Sequence, residues 1–394
     1  MNYKILFITN RDVLTSCGAL RLIKNRAESL YRDYGVSTDF CVLQRQTRID
    51  SPKREKINAG GQMWITGYSH MSILASYYKF YKNIHNVLLN EEYNAIIISQ
   101  TALIINISKI RKLTNAPIFL DGHGASEDIY ESSRGGSKMI LAMRKFAYYI
   151  DKCFIRYYLN RIDGCFVVST GLRKYYEEMT KNQNLKFFRA PCAVVDEITK
   201  INYEICRKEY RERFKIKEDE IAFVYSGGIE PWQSVEETIE IFKSIAGKID
   251  QSCKMFIFSY EVELVKEMVA NDSRFHVESF KAEELKKALC AMDFSFLIRK
   301  NTVTNNVAFP NKFLEYLLAR LQVLSTPYVY DVAEQIKLYQ VGYIYDFGDD
   351  ITKLAEYVRN NRGKNLDSKI VSEIINENSF KTRLATFVDY IKRN

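Results

Sequence analysis

The sequence predicts an α/β protein made of two open, doubly wound domains facing a cleft, and three observations carry that expectation. The chain has 394 residues, more than one hydrophobic core usually organises. Its hydrophobic fraction of 47% is enough for two packed cores. Short apolar runs recur along it, each followed by a helical pattern. In the first half they are YKILFIT, TDFCVL, NAIIIS, PIFLDG and GCFVVS. In the second they are IAFVYSGG, KMFIFS, RFHVES, MDFSFLIR, QVLST and GYIYDF. Continuous rather than alternating apolar runs suit strands buried on both faces. Helical stretches between them imply parallel β-α-β units.

Taken in chain order, the first strand pattern leads into TSCGALRLIKNRAESLYRDY, where Gly18 gives a turn before a helix carrying Arg21 and Lys24. This is either an ordinary β-α turn or a loop that meets a substrate. The fourth run ends in DGHGASE. There His123 has glycine on both sides, which suits a core histidine less well than the strand position of His276. Its neutral imidazole can bond a hydroxyl, with Asp121 and Glu127 placed to orient it or to touch a substrate. The domain boundary is expected within Phe187–Lys200, giving a first domain over 1–195 and a second over 196–375. A C-terminal amphipathic helix, 376–394, has the first domain as a candidate packing partner. No internal repeat or low-complexity segment occurs.

Composition narrows the function classes. No run is long and apolar enough for a membrane span, and MNYKILFITN lacks the basic head and cleavage pattern of a signal peptide. A cytoplasmic protein is expected. The eight cysteines are scattered, without C-x-x-C pairs or histidines at ligand spacing, so no metal site is expected. Net charge is +9, with 27 tyrosines and 23 phenylalanines. Charge of this sign suits anionic small molecules, a membrane surface or nucleic acid, but no nucleic-acid motif is present.

The second half is richer in candidate site residues. In FVYSGGIEPWQSVEETIEIF a strand ends at Ser226, and Gly227 and Gly228 permit a tight turn with close approach of a ligand to the backbone. It is neither a G-x-G-x-x-G fingerprint nor a P-loop. In DFSFLIRKNTVTNNVAFPNKFLEY a strand delivers Arg299 and Lys300 to its carboxyl end. A turn at Phe309-Pro310-Asn311 then opens a helix carrying Lys312 and Glu315. A helix N-terminus with three cations nearby is a candidate diphosphate cradle, and a carboxylate one turn in can accept from a ribose diol. Taken singly, each of these residues also fits a plain surface or helix-start role. Their convergence at one sheet edge favours the site.

These segments, VYSGGIEPWQSVEETI and FLIRKNTVTNNVAFPNKFLEYLLARLQVLST, resemble the donor half of retaining GT-B glycosyltransferases, the bacterial group 1, or glycosyltransferase family 4-like, enzymes of surface-polysaccharide synthesis. FLDGHGASEDIYE, DGCFVVSTGLRKYYEE and APCAVVDEI resemble the corresponding first-half segments. The resemblance implies a GT-B fold of two Rossmann-like domains, a nucleotide-diphosphate sugar donor and a glycan or lipid-linked acceptor, with no cofactor and no metal. Arg299 and Lys312 would hold the donor diphosphate, Glu315 the ribose, and Gly227 and Gly228 would let the backbone meet the phosphates. His123 would lie near the donor sugar, and Phe280 and Lys281 where such enzymes contact the base.

Three departures from the family pattern stand out. Val307 takes the place of the first glutamate of E-x7-E, so sugar contacts would pass to Asn305, Asn306 or backbone amides. The segment after the helix reads Ala319-Arg320-Leu321-Gln322 instead of glycine and proline. The first strand-turn of this half offers Glu230, Trp232 and Gln233 where an arginine and a lysine are usual. These departures keep a catalytically degenerate scaffold as an alternative, and a GT-B sugar-nucleotide epimerase, which shares the architecture, is another. Finally, MILAMRKFAYYIDKCFIRYYLNRID, with Lys145, Arg156 and Arg161, reads either as a core helix with a basic face or as a helix that lies on an anionic membrane. The second reading would place the enzyme on the inner face of the membrane.

Overall fold

The structure is a computed structural model, and it describes residues 3–10, 18–44, 53–68, 72–102, 107–131, 137–191, 201–249, 252–270 and 272–393. The chain divides into two compact units. The first comprises residues 1–126, 146–193 and 378–394, the second 127–145 and 194–377. Segment 127–145 thus groups with the second unit, and 192–200, within the expected boundary, lies outside the described residues.

The first unit holds strands β1 (Lys4–Thr9), β2 (Ser37–Gln44), β3 (Lys53–Lys56), β4 (Gln62–Gly67), β5 (Ala95–Ser99), β6 (Ile118–Asp121), β7 (Gly164–Val167) and β8 (Lys186–Arg189). They form one sheet in the order β3-β4-β2-β1-β5-β6-β7-β8, parallel except where β3 pairs with β4. Its helices are α1 (Gly18–Tyr34), α2 (Ile73–Asn90), α3 (Ile107–Arg111) and, further along the chain, α6 and α16. Helix α4 (Asp128–Glu131) belongs to the second unit, and α5 (Lys138–Leu159) is divided between the two. Then come α6 (Thr170–Met179) and α7 (Tyr203–Arg213). Gly18, expected in a turn, is the first residue of α1.

The second unit holds β9 (Ile221–Ser226), β10 (Cys253–Phe258), β11 (Phe275–Glu278), β12 (Phe294–Leu297), β13 (Gln322–Ser325) and β14 (Gly342–Ile344), all parallel, in the order β11-β10-β9-β12-β13-β14. Its helices after α7 are α8 (Val235–Ala246), α9 (Val262–Val269), α10 (Ala282–Leu289), α11 (Val303–Asn306), α12 (Asn311–Leu318), α13 (Tyr330–Tyr339), α14 (Ile351–Asn361) and α15 (Ser368–Glu377). Helix α16 (Phe380–Arg393) closes the chain.

Both sheets follow from the apolar runs. All six residues of β9 and all five of β5 are buried, as strands covered on both faces by helices must be. In the second unit Phe223 stacks on Phe294 and Phe296, each with ring centroids 5.5 Å away, and meets Phe242 edge-on. In the first unit α16 contributes Phe380, Leu384, Phe387, Val388 and Ile391 to the core. Phe387 sits 4.8 Å from Phe166 and 5.3 Å from Phe119, ring to ring. Truncating such a buried ring to alanine costs about 3–5 kcal/mol, so α16 is an integral part of the first unit.

Topology also fixes where ligands fit. In the second unit β9 lies between β10 and β12, and the connections leave β9 and β12 in opposite directions. Open parallel sheets bind ligands beyond the carboxyl ends of strands at such a reversal. Here those ends are Ser226-Gly227 and Ile298-Arg299.

Candidate functional site

The site in the second unit is assembled at that reversal. Arg299 follows β12 by two residues and is pinned by its backbone. Its N–H donates to Thr326 Oγ1 at 2.9 Å, and the Thr326 hydroxyl donates back to the Arg299 carbonyl at 2.7 Å. The guanidinium is buried, 3% exposed. It donates to the backbone oxygens of Gln233 at 2.8 Å and Ile298 at 2.9 Å, and to Gln233 Oε1 at 2.6 Å. Lys312, on the first turn of α12, donates to the same Gln233 Oε1 at 2.8 Å and to the Tyr225 hydroxyl at 3.1 Å. Its ammonium lies 4.4 Å from the centre of the Tyr225 ring. One carboxamide oxygen therefore accepts from two cations.

Among the described residues neither cation forms an ion pair. Burial, and then the neighbouring Arg299, hold the Lys312 ammonium well below the usual lysine range. Burial likewise lowers Arg299. Two desolvated positive charges sharing a neutral acceptor form a strongly anion-seeking locus.

The glycine turn makes this geometry possible. Gly227 has φ +130°, and a Cβ there would lie 2.3 Å from Lys312 Nζ. At Gly228 a Cβ would lie 2.4 Å from Glu230 Oε2 and 2.7 Å from the Tyr260 hydroxyl. At Gly227 the backbone itself calls for glycine, whereas at Gly228 the neighbours are the ends of flexible side chains that can move aside. After it, the short 3-10 turn Pro231–Gln233 presents the Gln233 side chain, and Ser234 takes a left-handed conformation with φ 52° before α8 begins. For a residue with a side chain this costs about 1–2 kcal/mol, a cost tolerated where it aims Gln233 at both cations. Tyr225 donates to the Gly228 carbonyl at 2.5 Å, bracing the turn from below. Tyr316, one turn along α12 from Lys312, accepts the Ser226 N–H at 3.0 Å and so ties α12 to the end of β9. Burial pushes its hydroxyl up to about 12.

The other residues expected in this half are placed as follows. Lys300 turns outward and pairs with Glu237 on α8, away from Arg299 and Lys312. Asn305 is buried with its side-chain nitrogen on the Lys300 carbonyl at 3.0 Å, and Asn306 donates to Asn301 Oδ1 at 3.0 Å. Their side-chain nitrogens thus brace the loop. Val307 and Phe309 are buried, and the Phe309 ring meets Phe313 edge-on. Pro310 caps α12 with extended backbone, ψ 134°, leaving Asn311 as its first residue. Glu315 lines a cavity of about 270 Å³ together with Tyr203, Lys286, Leu318, Arg320 and Ser372. Phe280 lies 5.0 Å from Phe258, ring to ring, with the Arg213 guanidinium 5.0 Å from its centre. Glu131 on α4 accepts the N–H of Thr304 at 2.9 Å and that of Val303 at 3.3 Å, satisfying the start of α11.

In the first unit Asp121 ends β6 fully buried. Its Oδ2 lies 2.6 Å from Arg26 on α1 and 2.9 Å from His123 Nε2. Burial alone would raise the Asp121 carboxyl, but Arg26 and His123 outweigh it and hold the group below the usual carboxylate range. The Arg26 guanidinium also lies 4.9 Å from the centre of the Phe166 ring. His123 is fixed from its backbone too, donating its N–H to Gln100 Oε1 at 3.1 Å, an oxygen that also accepts from Tyr176 at 3.2 Å. With the carboxylate accepting at Nε2, Nδ1 remains as the other polar atom of the ring. Glu127 is buried and falls in the second unit, where its carbonyl accepts from Tyr130 and Glu131.

Sequence reasoning missed Tyr225, Gln233, Tyr316 and Arg26. Tyr225 is embedded in an apolar strand run and Arg26 in an ordinary amphipathic helix, so neither carried a signal of its own. Gln233 stood out only as a departure from the resembled pattern.

No family model matches the chain, and no curated protein matches it. Solved structures do. Sucrose-phosphate synthase from Thermosynechococcus elongatus superposes with TM-score 0.70 at 12% identity, covering 99% of each chain. Anabaena Alr3699/HepE in complex with UDP gives 0.64 at 13% identity, over 99% of this chain and 98% of that one. WaaG, a glycosyltransferase involved in lipopolysaccharide biosynthesis, gives 0.61 at 14%, over 99% of this chain and all of the other. At these identities the likeness establishes the fold: two Rossmann-like units of the GT-B type.

Proposed function

We propose that the protein is a glycosyltransferase that takes its sugar from a nucleotide-diphosphate donor, and that Arg299 and Lys312 bind the donor diphosphate. The observation that carries this reading is the convergence of both cations on the neutral oxygen of Gln233 at the ends of β9 and β12. A diphosphate supplies the charge that this locus lacks. Charge accumulates on the leaving diphosphate as the glycosidic bond breaks, so buried, preorganised cations stabilise the transition state more than the ground state. In this reading Gly227 lets the phosphates approach the backbone, and Glu315 takes the ribose hydroxyls. His123, oriented by Asp121, bonds a sugar hydroxyl. The solved neighbours that carry UDP or a UDP-sugar support the donor class.

The finer parts of the proposal rest on the resemblance of the sequence to the bacterial group 1 enzymes. The anomeric configuration is retained, with the departing phosphate oxygen taking the acceptor proton on the same face, and the two cations meet the leaving-group charge without a metal ion. The acceptor is a glycan or lipid-linked glycan in surface polysaccharide synthesis, and the enzyme works in the cytoplasm. The test is incubation with a panel of nucleotide sugars, following release of nucleoside diphosphate and reading the anomeric configuration of the product by proton NMR. Acceptor-dependent release with an unchanged anomer supports the proposal.

One observation favours a second reading. Val307, at the position of a family carboxylate, is buried in the core. Tight nucleotide binding with no turnover across the acceptor screen would make the chain a nucleotide-sugar-binding scaffold. An epimerised sugar released without acceptor would make it an epimerase.

A further inference from the structure

The cavity that Glu315 lines has no other residue in common with the proposed donor site. It holds about 270 Å³, and its walls come from the start of α7, from α10, from the end of α12 and from α15, all within the second unit. That is the space of about nine waters at about 30 Å³ each. Two cations face it. Arg320 follows α12 with φ +57°, its N–H donating to the Leu317 carbonyl at 2.8 Å and that of Leu321 to Tyr316 at 3.0 Å. Glycine usually takes this helix-ending position. The guanidinium lies 4.4 Å from the centre of the Tyr203 ring, and its Nη1 pairs with the exposed Glu204 at 3.2 Å. Stacking fixes the plane of the guanidinium, and among the described residues Nη2 has no acceptor. Lys286, on α10, is half-buried, and among the described residues no acid lies within ion-pair distance of it.

A third wall is polar and uncharged. Ser368, Ser372 and Asn376 recur every four residues along α15 and so share one face of it. All three line the cavity, and among the described residues none of their side chains has a hydrogen-bond partner. Leu318 and Val371 supply apolar surface. Each group asks for a different part of a ligand. A guanidinium fork with an ammonium suits a phosphate. Hydroxyls and a carboxamide donate and accept at once, as the hydroxyls of a sugar do. The apolar residues suit its carbon face. Inorganic phosphate would leave the α15 row without a partner, and a neutral sugar would leave both cations without one.

We propose that this cavity is a second ligand site that binds a sugar phosphate, with the phosphate on Arg320 and Lys286 and the sugar hydroxyls on Ser368, Ser372 and Asn376. Helix α12 then carries Lys312 of the donor site at its start and Arg320 of the second site at its end. The proposal does not rest on the donor reading, because the ligand is measured without nucleotide and with the donor locus disabled.

The experiment is calorimetric titration of the full chain with ribose 5-phosphate, ribose and inorganic phosphate, in the parent and in Lys312→Met. Ribose 5-phosphate is expected to bind both alike, and more tightly than either of its parts. Arg320→Gly and Lys286→Gln should each lose about tenfold to a hundredfold in affinity, the worth of one charge-assisted hydrogen bond. Glycine suits the left-handed backbone at 320, so the first variant should fold. Thermal melting checks this, and Lys286→Gln carries the test if it does not. Ser372→Ala with Asn376→Ala should weaken ribose 5-phosphate and leave inorganic phosphate unchanged. Absence of binding to the parent overturns the proposal. So does binding that Lys312→Met abolishes and the folded cavity variants keep, which would assign the phosphate to the donor locus. Inorganic phosphate binding as tightly as ribose 5-phosphate overturns the sugar phosphate class.

Discussion

The ammonium of Lys312 lies 2.8 Å from the side-chain oxygen of Gln233, the same oxygen that accepts from Arg299 at 2.6 Å. A neutral carboxamide thus lies between the two cations, at the position proposed for the donor diphosphate. This relationship links the strained turn at Ser234, the glycines at 227 and 228, and the ends of β9 and β12 to one chemical purpose.

Gln233→Glu should fill the site from within. A carboxylate at the same position would pair with both cations, raising the melting temperature. It would also weaken nucleoside diphosphate binding about tenfold to a hundredfold, through competition and repulsion. Thermal melting and calorimetry check the two arms, and improved binding would contradict the account.

Gly227→Ala tests the close approach. Its backbone has φ +130°, and the added methyl would fall 2.3 Å from Lys312 Nζ. The variant should lose about 1–3 kcal/mol of stability from backbone strain, with donor affinity falling further as Lys312 is displaced. Calorimetry on the folded fraction separates the two effects.

Donor binding should take up protons. The Lys312 pKa is lowered, first by burial and then by Arg299, and a bound diphosphate restores the ammonium and raises it. Between the lowered free value and the raised bound value, binding therefore draws a proton from buffer, and affinity falls as pH rises through that window. In the unliganded chain the unfolded state binds more protons between the lowered value and the ordinary lysine value, so stability from this group rises with pH there. Titrations in buffers of different ionisation heat check the uptake.

The first unit offers a stability test. Asp121→Asn leaves the buried Arg26 without its anion and should cost about 3–5 kcal/mol. The parent Asp121 pKa is depressed in the folded state: burial opposes the shift, but Arg26 and His123 outweigh it. Its contribution is therefore present above the ordinary carboxylate value near pH ~4 and lost as pH falls below it towards the folded value. Denaturant unfolding across acid pH should show this loss in the parent and not in the variant.

Much of this was legible in the sequence because strands buried on both faces leave continuous apolar runs. The ends of IAFVYSGG and FSFLI could be located, and Arg299 and Lys312 fell where ligands of parallel sheets bind. Side-chain direction was not legible. Lys300 follows Arg299 directly yet turns to Glu237, because both lie beyond the end of β12, where no strand alternation sets side-chain direction. Gln233 stood out only as a departure from the resembled pattern, because its place between the two cations depends on contacts with Arg299 and Lys312 that are distant in sequence. Arg26 and Asp121 come together only through packing of α1 against the sheet, which periodicity does not encode. Nor did the apolar runs show that 127–145 would group with the second unit.

The most direct test of the central claim is titration of UDP, GDP, ADP, CDP and dTDP, with the matching monophosphates, into the parent and into Lys312→Met. The account predicts that at least one diphosphate binds the parent, that its monophosphate binds much more weakly, and that Lys312→Met loses about tenfold to a hundredfold in affinity. That variant should melt no lower than the parent, because it removes a desolvated charge. A parent that binds none of the diphosphates, or a folded Lys312→Met that binds them as the parent does, would contradict it.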